Sequence, residues 1–311
     1  MARHVDALVS PTLKNLREQW WDAAFSEFLQ ETLGPRPGTR ILDVGCGDGT
    51  AEIALARLRI SQLKLFGIDR DARRAAQASH EARAHNLRLG VAAGDVQHLP
   101  FREASFDATF CVAVLQHVND LAGAVRELAR VTRAGGRVLA VEPDNSARYW
   151  YSSSPEGRRA FDAASRLFAA AAERRADTTD PAVGPRLSSI FTTCGLEPVT
   201  VQLFPVSVAH LGEVPSGVWL ERRQTIELTG GGRGDGELTR LAAEALETLD
   251  RYEQEARAAG SRFVEIQHTM LFATVGQRTE EPLARDPTLP GAARRDGSDP
   301  RRDQGALDRT R

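Results

Sequence analysis

The run Arg40-Ile41-Leu42-Asp43-Val44-Gly45-Cys46-Gly47-Asp48-Gly49-Thr50 constrains this chain more than any other stretch. An apolar strand carries an acid near its end, three glycines alternate through a tight turn, and Thr50-Ala51-Glu52-Ile53-Ala54 opens a helix. Glycine at Gly45, Gly47 and Gly49 admits positive φ and lets the backbone approach a ligand closely. The unpaired N–H groups of the new helix face the same spot and favour an anionic group. In open α/β sheets the crevice beyond the carboxyl end of the first strand is where nucleotide-like ligands bind. Two familiar glycine loops do not fit. A dinucleotide fingerprint, G-x-G-x-x-G, needs glycine where Thr50 stands, and a P-loop needs a lysine that follows none of these glycines. What remains is D-x-G-x-G-x-G.

Strand and helix signals alternate around this turn. Leu13, Leu16, Trp20, Trp21, Ala24, Phe25, Phe28 and Leu29 recur at helical spacing, predicting an amphipathic helix over 12–33 that Gly34-Pro35 ends. Strands are expected at 40–44, 63–69, 87–92, 106–112 and 136–141, with helices at 50–58, 71–84 and 120–130 between them. That rhythm implies a parallel sheet covered by helices on both faces, and right-handed crossovers make it doubly wound. After Glu142 the rhythm breaks. Residues 145–176 read as helical, 183–194 as a helix, 196–204 as a strand, 237–259 as a helix and 263–275 as a strand. The Gly-rich stretch 229–236 reads as a polar linker, and from about Gln277 the composition is that of a disordered tail.

The glycine turn, Gly67-Ile68-Asp69 closing the second strand, Gly94-Asp95-Val96-Gln97-His98-Leu99-Pro100-Phe101 and the run from Arg126 to Val138 together resemble the class I S-adenosylmethionine-dependent methyltransferases. The likeness is good over residues 40 to 145 and general in layout over 146 to 276. It implies a Rossmann-like, doubly wound, seven-stranded sheet, mostly parallel with an antiparallel last strand, plus helical cap elements. The corresponding division is an N-terminal helical segment (1–38), a cofactor-binding core (39–145), an acceptor-binding cap segment carrying the last strands (146–276) and a tail (277–311).

The resemblance also implies roles. S-adenosylmethionine is the expected cofactor, bound by Asp43, Gly45, Cys46, Gly47 and Gly49 at the turn, with Asp69 accepting the ribose hydroxyls. Asp95 and Val96 are the adenine-edge candidates, and Arg70 or Leu99 is a candidate for the adenine face. Cys111 to Gln116 would lie beside the methionine part. The Leu99-Pro100-Phe101 and Phe106-Asp107 pattern is similar to the quinone-pathway and natural-product members. Transfer from a sulfonium is an in-line displacement with a good leaving group, so alignment and exclusion of water matter most. A base is needed only for a protonated acceptor. His117, just past the fourth strand, reads either as that base or as a helix-start packing residue. Glu142 and Asp144 follow the fifth strand on the same rim, as base or amine anchor. Tyr149, Trp150 and Tyr151 read as an aromatic wall or as interface packing, the latter making this segment a candidate homodimer contact. Reuse of the fold for a non-methylating elimination or cyclisation stays open, because binding and transfer are separate demands.

Composition narrows the partners. Forty basic residues against forty-two acidic ones leave no basic field for nucleic acid. The amide-containing motif of base-modifying relatives is absent too, so the expected acceptor is a small molecule. Cys46, Cys111 and Cys194 form no C-x-x-C pair, so neither a disulfide framework nor a metal site is expected. No apolar run reaches membrane-spanning length, and a reducing cytoplasm is the expected setting.

Overall fold

The computed structural model of the chain describes residues 21–57, 60–174, 180, 182–231 and 235–280, with the backbone alone at 145–148. Among them, β1 (Arg40–Val44), β2 (Lys64–Asp69), β3 (Leu89–Ala93), β4 (Phe106–Val112), β5 (Thr132–Ser152), β6 (Leu196–Leu211) and β7 (Val264–Arg278) form one sheet ordered 3-2-1-4-5-7-6. Strands β1 to β5 pair in parallel. Strand β7 inserts antiparallel between β5 and β6. This is the doubly wound sheet with an antiparallel last strand that the sequence implies.

Helices cover both faces because each has one apolar stripe to bury. On one face lie α1 (Ala23–Leu33) and α2 (Thr50–Ala56), whose Phe25, Leu29, Ala51 and Leu55 pack on Ile41, Leu139, Val141 and Leu271. Helix α1 starts where the Asp22 carboxylate accepts the Phe25 N–H at 2.7 Å, and it stops at Gly34 in the left-handed region. Trp21 packs edge-on against Phe25, so it belongs to the core; residues 12–20 of the expected helix lie outside the described residues. Helix α3 (Ala72–Ala84) links β2 to β3. On the opposite face α4 (Leu121–Val131) and, after α5 (Pro155–Arg174), α6 (Val183–Thr193) bury Val125, Leu128, Leu187 and Phe191 against Leu42, Ile68, Val138 and Ala140.

The largest departure from the sequence reading follows Glu142. Residues 145–152, expected as helix, continue β5, and β6 likewise runs on to Leu211. Tyr149 to Ser152 face His268 to Glu265 across β7, while Ser207 to Leu211 face His268 to Val264 on its other side. The three strands thus project beyond the parallel sheet as an arm. Strand β7 ends at Arg278, so the sheet takes two residues assigned to the tail; residues 281–311 lie outside the described residues.

Helices α5, α7 (Ser216–Gly230) and α8 (Gly236–Ala259) pack on one another around Leu167, Trp219, Ile226, Leu249, Tyr252 and Phe263 to form a cap on this arm. Helix α7 escaped the sequence reading. Its inner face is interrupted by Arg222, which is 1% exposed. That guanidinium forms a two-pronged ion pair with Glu265 (2.5 and 3.1 Å) and lies 5.0 Å from the Trp219 ring centre. Tyr252 Oη and Gln267 Nε2 also donate to Glu265. Burial works against this carboxylate, but Arg222 outweighs it and holds the Glu265 carboxyl below its usual range. Replacing Arg222 by Ala leaves that charge buried without its partner, and urea denaturation should show a loss of about 3–5 kcal/mol. A loss under about 1 kcal/mol would mean that the pair does not hold the cap to the arm.

Candidate active site

The glycine turn folds back over β2: Gly45 and Cys46 donate their N–H groups to the Ile68 carbonyl at 2.6 and 3.1 Å, and Gly49 donates to Cys46 at 2.9 Å. All three glycines have positive φ, at +83°, +58° and +86°. Their surroundings differ. A Cβ on Gly45 would lie 2.2 Å from Val114 Cγ2, and one on Gly49 would lie 3.3 Å from the α3 backbone at Ala78. On Gly47 it would meet nothing nearer than 4.0 Å. The protein itself needs the outer two glycines, while the middle one faces open space where a ligand's backbone approach would fall.

Beside it, buried Asp69 accepts the Gly47 N–H at 3.0 Å and the Asp71 N–H at 2.8 Å, one on each oxygen. A carboxylate offers about four acceptor positions, so capacity for a diol remains. The Gly94 N–H donates to the Asp69 carbonyl at 3.0 Å, which brings Asp95 alongside. Asp95 is half-buried and accepts from Gln97 N–H at 2.9 Å; Val96 is buried and Arg70 is exposed. Leu99 is packed in the core. Cys46 is buried under the turn. Cys111 is wholly buried among core side chains on the α4 face, so its thiol does not line the rim as expected. Burial, reinforced by nearby acids, pushes both thiols up.

The loop after β4 is organised by Glu142. This fully buried carboxylate accepts the N–H groups of Val114 (2.8 Å), Leu115 (2.7 Å) and, at 3.4 Å, Gln116. Ala113 sits before them at φ +56°, a conformation that costs a non-glycine residue roughly 1–2 kcal/mol. Committed to these amides, Glu142 is placed to hold the loop rather than to take a proton from an acceptor. The Gln116 carbonyl accepts from Asp180 N–H at 2.9 Å, while His117 stands exposed. Asp144 is buried opposite Met270, and Tyr149 and Tyr151 are exposed on the arm.

Sequence reasoning passed over Glu52 as scaffold. Its carboxylate is 1% exposed beneath the turn, and neither of its oxygens has a hydrogen-bond partner among the described residues. Burial raises both groups, Glu52 to about 8 and Asp43 well above its usual range, where Glu52 and Asp69 add to the effect. The available signal was Gly67: a side chain there would collide with Glu52 Oε1 at 2.5 Å.

Residues 42–140 match the family described as Methyltransferase domain. Over these residues the chain carries a methyltransferase domain. Over 155 residues it is 32% identical to the ubiquinone biosynthesis O-methyltransferase of Bordetella bronchiseptica, covering 44% of this chain and 61% of that one. It is 33% identical over 113 residues to the methyltransferase GfsG of Streptomyces halstedii (36% and 41%), and 39% identical over 126 residues to an uncharacterised transposon protein of Streptomyces fradiae (40% and 36%). The match thus spans about a third to three fifths of the length of these relatives. The fold is shared with the YcgJ protein of Bacillus subtilis, at TM-score 0.51 and 18% identity over 81% of this chain and 97% of that one. Among the described residues no helix is long and apolar enough to cross a membrane.

Because Glu52 ordinarily titrates near 4.5 and here near 8, the folded methyltransferase domain binds more protons than the unfolded chain between those values. Stability should therefore fall as pH rises from about 4.5 to about 8, by at most about 1.4 kcal/mol per unit from this group, and level off above. Denaturant unfolding of wild type and Glu52→Gln across that window reads the difference. A difference that rises with pH would contradict the assignment.

Proposed function

We propose that this chain binds S-adenosylmethionine on the glycine turn and transfers its methyl group to a small-molecule acceptor of natural-product type. The observation that carries the reading is the open side of Gly47, bordered by the spare acceptor capacity of Asp69. The residues fit the cofactor: the turn offers close backbone approach, Asp69 a diol acceptor and Asp95 an acceptor for an exocyclic amine. When bound, the cofactor supplies an electrophilic methyl on a positively charged sulfur. The protein's own work is alignment. Glu142 fixes the loop after β4, so that the Val114 side chain backs Gly45 and the backbone from Leu115 to Gln116 borders the same rim.

His117, exposed just past β4, is the residue this reading assigns to take a proton from a hydroxyl acceptor, whereas an amine acceptor that is already neutral needs no base. The acceptor's shape would be read by the arm and cap after Glu142. The balanced charge of the chain and its similarity to the ubiquinone biosynthesis O-methyltransferase of Bordetella support a small molecule over nucleic acid.

Calorimetric titration with S-adenosylmethionine and S-adenosylhomocysteine, on protein stripped of carried ligand, tests the reading, and binding of neither would overturn it. Gly47→Ala should weaken binding at least tenfold while costing only about 1–2 kcal/mol of stability for its left-handed φ. Retained affinity would put the ligand elsewhere. Glu142→Gln should lower the unfolding free energy by about 1.5–3 kcal/mol, the scale of hydrogen bonds to a charged group, and weaken cofactor binding through the loosened loop. Unchanged stability would show that the carboxylate does not carry the loop.

A further inference from the structure

The two faces of the arm are treated differently. Along β7 burial alternates residue by residue: Glu265, Gln267 and Thr269 are buried, while Ile266, His268 and Met270 are only half-buried. The buried set lies on the cap side, where Glu265 meets Arg222. The other set shares its face with β5 and β6, in the rows Tyr149–His268–Ser207 and Tyr151–Ile266–Ala209. Ser207 Oγ lies 3.4 Å from His268 Nδ1, as neighbours on one face require. Tyr149 is 56% exposed, Tyr151 45%, and Leu211 at the tip 77%. Nearer the parallel sheet the same face is covered by α6. Its Gly184 comes so close that a Cβ there would lie 2.8 Å from the Glu142 carbonyl oxygen and 3.0 Å from the Phe272 ring. The arm is thus a shelf that steps up onto α6. Among the described residues, none that faces out from this shelf beyond Asp144 is Lys, Arg, Asp or Glu.

We propose that this shelf is the contact between two copies of the chain, turned end for end about a two-fold axis that crosses β7 between Ile266 and His268. A contiguous apolar surface of this kind marks an interaction site. The ends of the described chain point to a second copy as its cover. Residue 21 leads into α1 on the opposite face of the sheet, and residue 280 follows the end of β7 farthest from the tip. Beyond residue 280 the large apolar residues are only Leu283, Leu289 and Leu307. Residues 175–179 lead to Asp180, which is bonded to Gln116 on the β4 side. Two shelves match in depth: sheets stack about 10 Å apart and a helix is about 10–12 Å thick, so an inverted arm fills the step beside α6. The inversion sets Tyr149 over the partner's Tyr151, His268 over the partner's Ile266, Ser207 over the partner's Ala209 and Leu211 over the partner's Pro205. Aromatic and apolar surfaces meet, with no charge to desolvate. The shelf runs about 20 Å along the strands and about 14 Å across them, roughly 300 Å² in plan for each copy. With side-chain relief and both copies counted, the contact comes to about the 1,000 Å² at which specific association begins, so the dimer is reversible and of micromolar strength.

Sedimentation velocity of the full chain, from about 1 to about 100 µM, reads the association. Wild type should pass from monomer to dimer across that range and form nothing larger, because a two-fold contact closes on itself. A chain that stays monomeric throughout, or one that grows beyond the dimer, would overturn the proposal. Tyr151→Glu and Leu211→Glu each put a charge into the contact and should raise the dissociation constant at least tenfold. Leu228→Glu, at an 83% exposed position of α7 away from the shelf, should leave it unchanged. Melting temperatures close to wild type establish that the variants are folded. Should Tyr151→Glu fail to fold, Leu211→Glu at the tip gives the same reading. Undiminished dimerisation of a folded shelf variant would show that the copies meet elsewhere, and would refute the assignment.

Discussion

Three amides turned toward the buried Glu142 carboxylate join the parts of this molecule that have to cooperate. The chain leaves β4 through Ala113 in a left-handed conformation, which an alanine does not adopt unaided. Glu142 offsets that strain by accepting the next amides in line. The loop is thereby held so that Val114 presses on Gly45, and the first glycine of the turn can be nothing else. Because Glu142 lies where β5 passes from the parallel sheet into the arm, one side chain ties the glycine turn, the loop after β4 and the base of the cap together. A base in solvent contact could not do this, and a residue doing this is poorly placed to be a base.

The two buried acid centres show how surroundings, not residue type, set the behaviour of a carboxyl. Glu265 faces Arg222, Tyr252 and Gln267, all donors, and stays ionised in the cap. Asp43 and Glu52 are buried beneath the turn with acids rather than cations acting on them, and burial raises both carboxyls. The first arrangement is fixed and suits a joint between helix and strand.

How much of this was legible in the sequence depended on whether the determining contacts were local. The turn, β1, β2, β4 and the doubly wound layout follow from glycine spacing and alternation over short windows. Asp69 ends β2 and Asp95 lies just past β3, so their position on the rim beside the turn could be expected from the strand pattern alone. Residues 145–152 were misread because their strand character comes from pairing with β7, more than a hundred residues later. Helix α7 was missed because Arg222 occupies a position where periodicity asks for an apolar residue, and its partner Glu265 belongs to a distant strand. Glu52 looked like an ordinary acid in a first helical turn, where acids are common on exposed faces. Only Gly67, unexplained within its own strand, pointed to it.

The same distinction separates what is shared from what is particular to this chain. The matched region ends at residue 140, just before Glu142 and the arm. Up to that point the sheet rim dictates which residues serve, since a glycine turn, a strand-end acid and a second acid after β3 have few geometric alternatives. Beyond it, a three-stranded arm and three helices are held by their own core and their own ion pair, which leaves the cap able to vary without disturbing the rim. Substrate choice assigned to such a cap can diverge while cofactor geometry stays fixed. Glu142, whose amide contacts reach into one part and whose backbone continues into the other, is the point through which a change in the cap would be felt at the turn.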